Sequence, residues 1–278
     1  MRLSVILSTY NSPEWLEKAL WGYSAQGHRH FELVVADDGS TDETRRRIDV
    51  LRSRTGMTIR HIWHEDQGFR KCTILNRAIE AASADYLVFS DGDCIPRNDF
   101  LETHARLARL GAFLSGGLFR LPLAVSQQID RDDILQGRAT DVRWLRSAGV
   151  QWSPKLLKLA CRPPWSRCLD GLTSTRATWN GHNSSGWKAD LLAVNGFDER
   201  MEWGGEDREL GERLVHLGIR PVQIRYRAVC VHLDHERGYV RQEALTRNHQ
   251  IWAQTRRARS TWTDSGIRKD AIAPARAA

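Results

Sequence analysis

Tyr86-Leu87-Val88-Phe89-Ser90-Asp91-Gly92-Asp93 joins a short apolar run to two carboxylates with a single glycine between them. The run has the length and composition of a strand buried on both faces, and its acidic end marks where the strand stops. The same design recurs upstream. Leu3–Ser8 is apolar and β-branched and runs into Thr9-Tyr10-Asn11, while Phe31–Ala36 ends in Asp37-Asp38-Gly39-Ser40. Thr58–Trp63 reads as a short strand. Helical spacings lie between these runs. Pro13–Gln26 places Trp15, Leu16, Ala19, Leu20 and Tyr23 on one face behind a Ser12-Pro13 start, Thr41–Ser53 follows, and Lys71–Ala82 turns Ile74, Leu75, Ala78 and Ile79 inward. This β-α-β-α-β-α-β order predicts an α/β fold: a mostly parallel, Rossmann-like sheet with helices on both faces. In such sheets ligands bind beyond the carboxyl ends of the strands, where every polar cluster above falls.

Beyond residue 97 the pattern is less regular. Asn98–Leu110 reads as a helix, Gly186–Val194 regains periodicity, Glu206–Leu217 is a helix and Arg220–Val231 a closing strand. Phe119–Thr178 is rich in Arg, Trp and Pro, and its mixed signals place no element. Arg256–Ala278 is basic and Ala-rich, which predicts a frayed helix and a loose tail. The expected division is a nucleotide-sugar-binding half at 1–118, an acceptor-binding and catalytic half at 119–255, and the basic tail at 256–278.

The 278 residues are 41% hydrophobic and 27% charged, enough to bury a sizeable core and unlike a disordered chain. No apolar run approaches the roughly 20 residues of a spanning helix, and the opening Met1–Leu7 is too short for a signal peptide. The five cysteines form no C-x-x-C pair, so a zinc site or disulfide scaffold is disfavoured and a cytoplasmic location is expected. A net charge of +7 suits an anionic partner.

Four clusters carry chemistry. Asp91-Gly92-Asp93 can turn two hard oxygen ligands toward one Mg²⁺ or Mn²⁺, or form an Asx-rich turn. Asp37 or Asp38 can accept from the N3–H of a uracil base, while Ser40, Thr41 and Asp42 read as turn and cap chemistry. In Trp203-Gly204-Gly205-Glu206-Asp207-Arg208-Glu209, two glycines precede acids in a first helical turn, where the helix dipole keeps a carboxylate ionised. That serves a hydroxyl-activating base or an ordinary acidic cap. His232, with Asp234 and His235 just beyond, stands at a strand end as a metal ligand, a phosphate partner or neither.

Taken in order, these pieces resemble the family 2 inverting glycosyltransferases of the GT-A fold. The matching stretches are Ser4–Asn11, Asp37–Asp42, Asp91-Gly92-Asp93, Asn195-Gly196-Phe197-Asp198-Glu199, Trp203–Glu209 and His232, covering roughly residues 1–120 and 180–235. The acceptor side also resembles a galactosyltransferase-type module of bacterial lipopolysaccharide-core and capsule enzymes. The resemblance implies that Ser8, Tyr10 and Asp38 hold a uridine, that Asp91 takes a ribose position, and that Asp93 and His232 bind Mn²⁺ or Mg²⁺. It implies Asp207 as catalytic base with Glu206 beside it on the acceptor. It places Arg70, Lys71 and Asn76 near the nucleotide, in and after the loop Glu65–Lys71. The implied reaction is a metal-assisted single displacement from a nucleotide sugar, UDP-linked, onto a glycan or glycolipid hydroxyl of the cell envelope.

Two other classes fit less well. A non-catalytic protein binding nucleic acid or an anionic surface leaves the ordered acids unexplained, and no nucleic-acid partner is expected. A sugar-phosphate nucleotidyltransferase opens with a Gly-rich basic loop where this chain has Ser8-Thr9-Tyr10-Asn11. No membrane span follows the catalytic region, which disfavours a processive membrane synthase. The segment Trp152–Trp165 mixes Trp and Leu with Lys155, Lys158 and Arg162. Two readings stand: peripheral contact with an anionic inner-membrane face, or an acceptor-site lid with Trp152 and Trp165 in its core.

Overall fold

Strand β1 (Leu3–Thr9) runs parallel between β2 (Phe31–Asp37) and β4 (Tyr86–Asp91), and β3 (Ile59–Trp63) lies outside β2. The structure, a computed structural model, describes residues 1–235 and 241–269. Side chains of these strands alternate between two cores, as a period of two requires. Val5, Leu7, Leu33, Val35 and Val88 pack on one face with Leu16, Leu20, Ile48 and Leu51, from the helices Pro13–Ser24 and Asp42–Thr55. Ile6, Val34, Ala36, Leu87 and Phe89 pack on the other with Ile74, Leu75, Ala78 and Ile79, from the helix Lys71–Ala81. Leu191 from Lys188–Ala193 and Leu210 and Leu214 from Glu206–His216 extend that second layer. The sheet with helices on both faces is therefore as the sequence predicts.

After β5 (Cys94–Pro96) and the helix Phe100–Leu107 come β6 (Ala112–Ser115), β7 (Gly117–Arg120) and β8 (Ser184–Trp187), none of them signalled by periodicity. They are only three or four residues long. The expected closing strand Arg220–Val231 is in fact two, β9 (Arg220–Gln223) and β10 (Val229–His232), and they belong to different sheets. The turn between them bonds Arg227 N–H and Ala228 N–H to the Ile224 carbonyl, and it lies hard against Gly117. A Cβ at Gly117 would stand 1.9 Å from the Arg225 oxygen, so only glycine admits the crossing. The large sheet has the order β3-β2-β1-β4-β8-β6-β9, with β8 antiparallel to both neighbours, and the small one β5-β10-β7. One sheet thus draws strands from both sides of residue 118.

Phe119–Thr178 resolves into short helices: Leu123–Gln128, Arg131–Leu135, Val142–Ser147, Leu157–Ala160 and Trp165–Leu172. Pieces of four to eight residues show less than two or three turns of periodicity and depend on tertiary packing. The C-terminal expectation also changes. A 17-residue helix, Gln242–Ala258, packs along Glu206–His216. The segment after it is pinned rather than loose: Asn195 Nδ2 donates to the Thr263 and Arg268 carbonyls at 2.7 and 3.0 Å, and Thr263 Oγ1 to Asp198 at 2.7 Å. The rest of the expected tail, 270–278, lies outside the described residues. Among the described residues no helix is long and apolar enough to cross a membrane.

Candidate active site

Strand register brings the acids together. Ser8 pairs with Asp91 and Thr9 with Asp37, so β2 and β4 end level with β1 and on either side of it. Gly92 N–H then donates to the Ser8 carbonyl at 2.7 Å, in a turn so close that a Cβ at Gly92 would sit 2.9 Å from that oxygen. The turn delivers Asp93 beside β5. The antiparallel pairing of β5 with β10 sets Cys94 opposite His232, and Leu233 N–H donates to the Asp93 carbonyl at 2.9 Å. Asp93 Oδ2 consequently lies 3.4 Å from His232 Nε2 and 2.9 Å from His235 Nε2.

Ligand atoms of Asp93, His232 and His235 all fall within 4.8 Å of one another, close enough to share one ion. His232 Nδ1 is buried without a hydrogen-bond partner. One carboxylate with two imidazoles fits a first-row divalent cation such as Mn²⁺ better than Mg²⁺, which prefers all-oxygen shells. The sequence singled out Asp93 and His232 but gave His235 no role. The signal was available as a second histidine three residues past a strand-end histidine.

A carboxylate oxygen of Asp91 also lies within 4.8 Å of ligand atoms of Asp93 and Cys94. Asp91 Oδ1 accepts from Ser8 Oγ at 2.7 Å and from Lys71 Nζ at 2.9 Å. Burial alone would raise this carboxyl, but Lys71 and Ser8 outweigh it and hold it well below the usual carboxylate range. For Lys71, burial opposes the charge, yet Asp91, Asp207 and Glu206 together keep the ammonium well above its ordinary value. Lys71 therefore ties the β4 acid to the acids of the Glu206–His216 helix.

That helix starts where it does because Gly204 and Gly205 take φ of +108° and +101°, and a Cβ at Gly204 would meet Leu245 at 2.4 Å. Glu206 Oε2 accepts from Gly204 N–H at 2.8 Å, and burial raises its carboxyl. Asp207 Oδ2 accepts from Gly181 N–H at 2.9 Å, while its Oδ1 makes no hydrogen bond. Burial first, then the negative charge of Glu206, pushes Asp207 up to about 7. This is the acidity of a group that takes and gives protons near neutrality.

Two cavities meet at these acids. The first, of about 720 Å³, is lined by Ser8, Tyr10, Asp38, Lys71, Asp91, Asp93, His232 and His235. The second, of about 670 Å³, is lined by Trp179, Trp203, Trp252 and a set of arginines. Leu118, Arg120, His182, Trp203, Glu206 and Asp207 line both. His182, which the sequence reading passed over, is lowered to about 4 by burial and is neutral at pH 7. Asn180-Gly181-His182-Asn183 lacked any periodic or charge signal.

Two expected site residues lie elsewhere. Asn76 Nδ2 donates to the Phe197 carbonyl and to Glu199, both at 2.9 Å, and its Oδ1 accepts from Phe197 N–H at 2.7 Å. It clamps the Asn195-Gly196-Phe197 turn and does not line the first cavity. The Arg70 side chain turns to Gln67, and only its backbone N–H reaches the site, at 2.9 Å from Asp38 Oδ2. Asp38 Oδ1 is held by His64 at 2.7 Å, and the Tyr10 hydroxyl donates to Asp66 at 2.9 Å. Asp37 is fully buried against His61 and Ser40 N–H, each at 2.8 Å, as a structural residue.

Comparison with known proteins agrees with this geometry. Residues 4–117 match the model for glycosyl transferase family 2, and residues 171–236 that for the N-terminal domain of galactosyltransferase. Validoxylamine A glucosyltransferase of Streptomyces hygroscopicus subsp. limoneus is 30% identical over 253 residues, covering 84% of this chain and 52% of that protein. The chain thus spans about half the length of that relative. Among solved structures, the mannosyltransferase PcManGT from Pyrobaculum calidifontis in complex with GDP-Man and Mn2+ superposes with a TM-score of 0.58 at 21% identity, over 86% of this chain and 58% of that one. S. aureus TarS 1-349 in complex with UDP-GlcNAc gives 0.60 at 17% identity, over 91% and 66%. At those identities the likeness concerns the fold, which is GT-A.

Proposed function

Residues 4–117 belong to glycosyl transferase family 2, and from that premise we propose that the protein moves a sugar from a nucleotide sugar to an acceptor hydroxyl with inversion at the anomeric carbon. The observation that carries this reading is that Asp207, with one unpartnered carboxylate oxygen, borders two cavities at once. The first cavity is the donor side, 1–118 supplying most of it. Ser8, Tyr10 and Asp38 face the uridine, and Lys71 and Asp91 face the ribose and diphosphate. Asp93, His232 and His235 would hold a divalent cation, which supplies positive charge to the leaving diphosphate when bound. The complexes of PcManGT with GDP-Man and of TarS with UDP-GlcNAc support a nucleotide-sugar donor.

On the second side, Asp207 Oδ1 takes the proton of an acceptor hydroxyl. The freed oxygen attacks the anomeric carbon from the face opposite the diphosphate, and a single displacement inverts the centre. No second carboxylate nucleophile is required, and Glu206 is committed to Gly204 N–H. The backbone N–H of Gly181 fixes the Asp207 carboxylate, and neutral His182 borders both cavities without adding charge.

The testing experiment is calorimetric titration of UDP with and without Mn²⁺, followed by turnover with a panel of nucleotide sugars. Wild-type protein binds UDP in a Mn²⁺-dependent way, and Asp93→Ala loses that dependence while keeping its fold by circular dichroism. Equal UDP affinity with and without metal overturns the site.

Contact with an anionic membrane surface is a second reading, favoured by one observation. The helix Trp165–Leu172 buries Ser166 and Asp170 and leaves Trp165 and Leu172 exposed, with Trp152 and Leu157 exposed nearby. Lys158 is withdrawn from that surface, contrary to expectation: it is buried and its Nζ donates to the Leu118 carbonyl at 2.9 Å. Nor are Trp152 and Trp165 the core of a lid.

A further inference from the structure

The second cavity is unusual in its charge. Five cations line it, Arg120, Lys158, Arg176, Arg208 and Arg225, against the two carboxylates Glu206 and Asp207. Lys71, itself ion-paired with Asp91 at 2.9 Å, lowers both carboxyls by its charge, but burial outweighs it and each stays raised. Among the described residues none of the five has an ion-pair partner; Arg120, Arg176 and Arg208 are exposed, while Arg225 is half-buried and Lys158 buried.

Lys158 is the sharpest case. It is 8% exposed, and its ammonium makes a single hydrogen bond, to the Leu118 carbonyl, out of three available donors. Burial, then repulsion from Arg225 and Lys155, lowers it to about 8. The Asp170 carboxylate, which feels the Arg225 charge, is bonded to Tyr226 N–H at 2.8 Å and Arg227 Nε at 2.6 Å. Arg225 is anchored by its backbone against Gly117, and its guanidinium donates to Thr173 Oγ1 at 3.4 Å. Like charges held together in a partly desolvated cavity repel one another, and an anion placed among them turns that cost into attraction. Trp203 and Trp252 also line this cavity, the Trp252 ring with Arg256 over it at 5.0 Å, and the space beside Gly205 is open.

We propose, building on the transferase reading above, that the acceptor is an acidic saccharide whose carboxylate, sulfate or phosphate group is held by Lys158, Arg176 and Arg225 while its hydroxyl meets Asp207. Donor and acceptor selection then divide between the cavities, the acidic, metal-binding one taking the nucleotide and the basic one taking the charged glycan. Arg176 and Arg225 act as specificity-determining residues, distinguishing an acidic acceptor from its neutral counterpart.

The test titrates glucose, glucuronate and glucose 6-phosphate into the full chain by calorimetry, with UDP and Mn²⁺ saturating so that the donor cavity is filled. At least one of the two anions binds at least about tenfold tighter than glucose, the scale of one charge-assisted hydrogen bond, and which of the two binds tells carboxylate from phosphate. Arg176→Ala and Arg225→Ala each remove that preference and leave UDP affinity unchanged. Arg176 is exposed, so its substitution reads the site even where Arg225→Ala disturbs the turn against Gly117. Glucose binding as tightly as both anions, or an anion preference that survives both substitutions, overturns the proposal. Failure of UDP to bind would instead strike the donor reading, and the same anion titrations without UDP would still report on the basic cavity.

Discussion

The two cavities that meet at Asp207 are built in opposite ways. On the donor side the acids come from strand ends and are already paired: Asp37 with His61, Asp38 with His64, Asp91 with Lys71, Asp93 with His235. On the other side Arg120 ends β7 and Arg208 lies in the Glu206–His216 helix, while Lys158, Arg176 and Arg225 come from a short helix, a loop and a turn, and none of the five has an ion-pair partner among the described residues. A site made of strand termini inherits its geometry from backbone register and can hold a fixed ligand such as a nucleotide. A site made of connecting segments sits on structure that tolerates change, where specificity is readily varied. The Glu206–His216 helix is the wall between them, and the comparison is broken or sharpened most directly by acting on that wall.

The largest effect is expected at its anchor. Arg213 and Glu209 are fully buried, joined at 2.7 Å, and Thr255 Oγ1 donates to Glu209 at 2.8 Å, which fastens the wall to the Gln242–Ala258 helix. Arg213→Ala leaves a buried carboxylate without its partner and costs about 3–5 kcal/mol in urea unfolding. The joint replacement Glu209→Leu with Arg213→Met removes both charges and costs markedly less. Equal losses for the two variants would mean that packing, not charge, holds the wall.

Asp207→Asn comes next. It preserves size and the bond from Gly181 but cannot accept a proton. Turnover falls at least about 10²-fold, equivalent to about 2.7 kcal/mol of barrier, while UDP affinity is kept. Wild-type turnover in this variant would separate the wall from the chemistry altogether.

A smaller and more graded effect is expected with pH. In the proposed mechanism Asp207 works only when ionised, and burial with the Glu206 charge raises it to about 7. Turnover therefore falls tenfold per unit as pH drops below about 7 and is flat above it. Glu206 raises Asp207 by its negative charge, so Glu206→Gln moves the bend to lower pH. A profile that bends at the same pH in both proteins would assign the titration to another group.

The donor side was legible because its signals are local and repeated. Apolar strands ending in Asp38 or Asp91, and helices with three turns of periodicity, fix both the sheet and the level at which acids meet. The Asp93–His232 pairing was legible only through family order, since it depends on β5 and β10, strands of three and four residues. His235 and His182 were missed for the same reason: their placement follows from tertiary pairing, not from any local pattern. Asn76 misled because a buried asparagine serving the Gly196 turn has the same sequence appearance as one facing a ligand. The basic cavity was illegible because Lys158, Arg176 and Arg225 converge from segments 18 and 49 positions apart along the chain, in a region without periodicity.

The smallest effect belongs to the outer surface of that same irregular region. Trp152, Trp165 and Leu172 are 69%, 72% and 81% exposed, while Ser166 and Asp170 on the helix Trp165–Leu172 point inward, Asp170 held by Tyr226 N–H and Arg227. The helix thus buries two polar residues and shows Trp165 and Leu172 to solvent together with Arg167, and Lys155 and Arg162 are exposed earlier in the same segment, an arrangement suited to an anionic interface. With Lys158 taken inward, three exposed cations remain, Lys155, Arg162 and Arg167, each worth about 1 kcal/mol near an anionic surface. The protein is therefore expected to co-sediment weakly with phosphatidylserine-containing vesicles at low salt, to be released as salt rises, and to bind neutral vesicles less. Trp152→Ala with Trp165→Ala reduces the bound fraction several-fold, and Lys155→Glu reduces it further at low salt. Turnover on a soluble acceptor is unchanged in these variants, because none of the three residues borders either cavity. Absence of sedimentation with anionic vesicles at low salt would sink the membrane reading and leave the exposed tryptophans to some other partner, with the two-cavity comparison untouched.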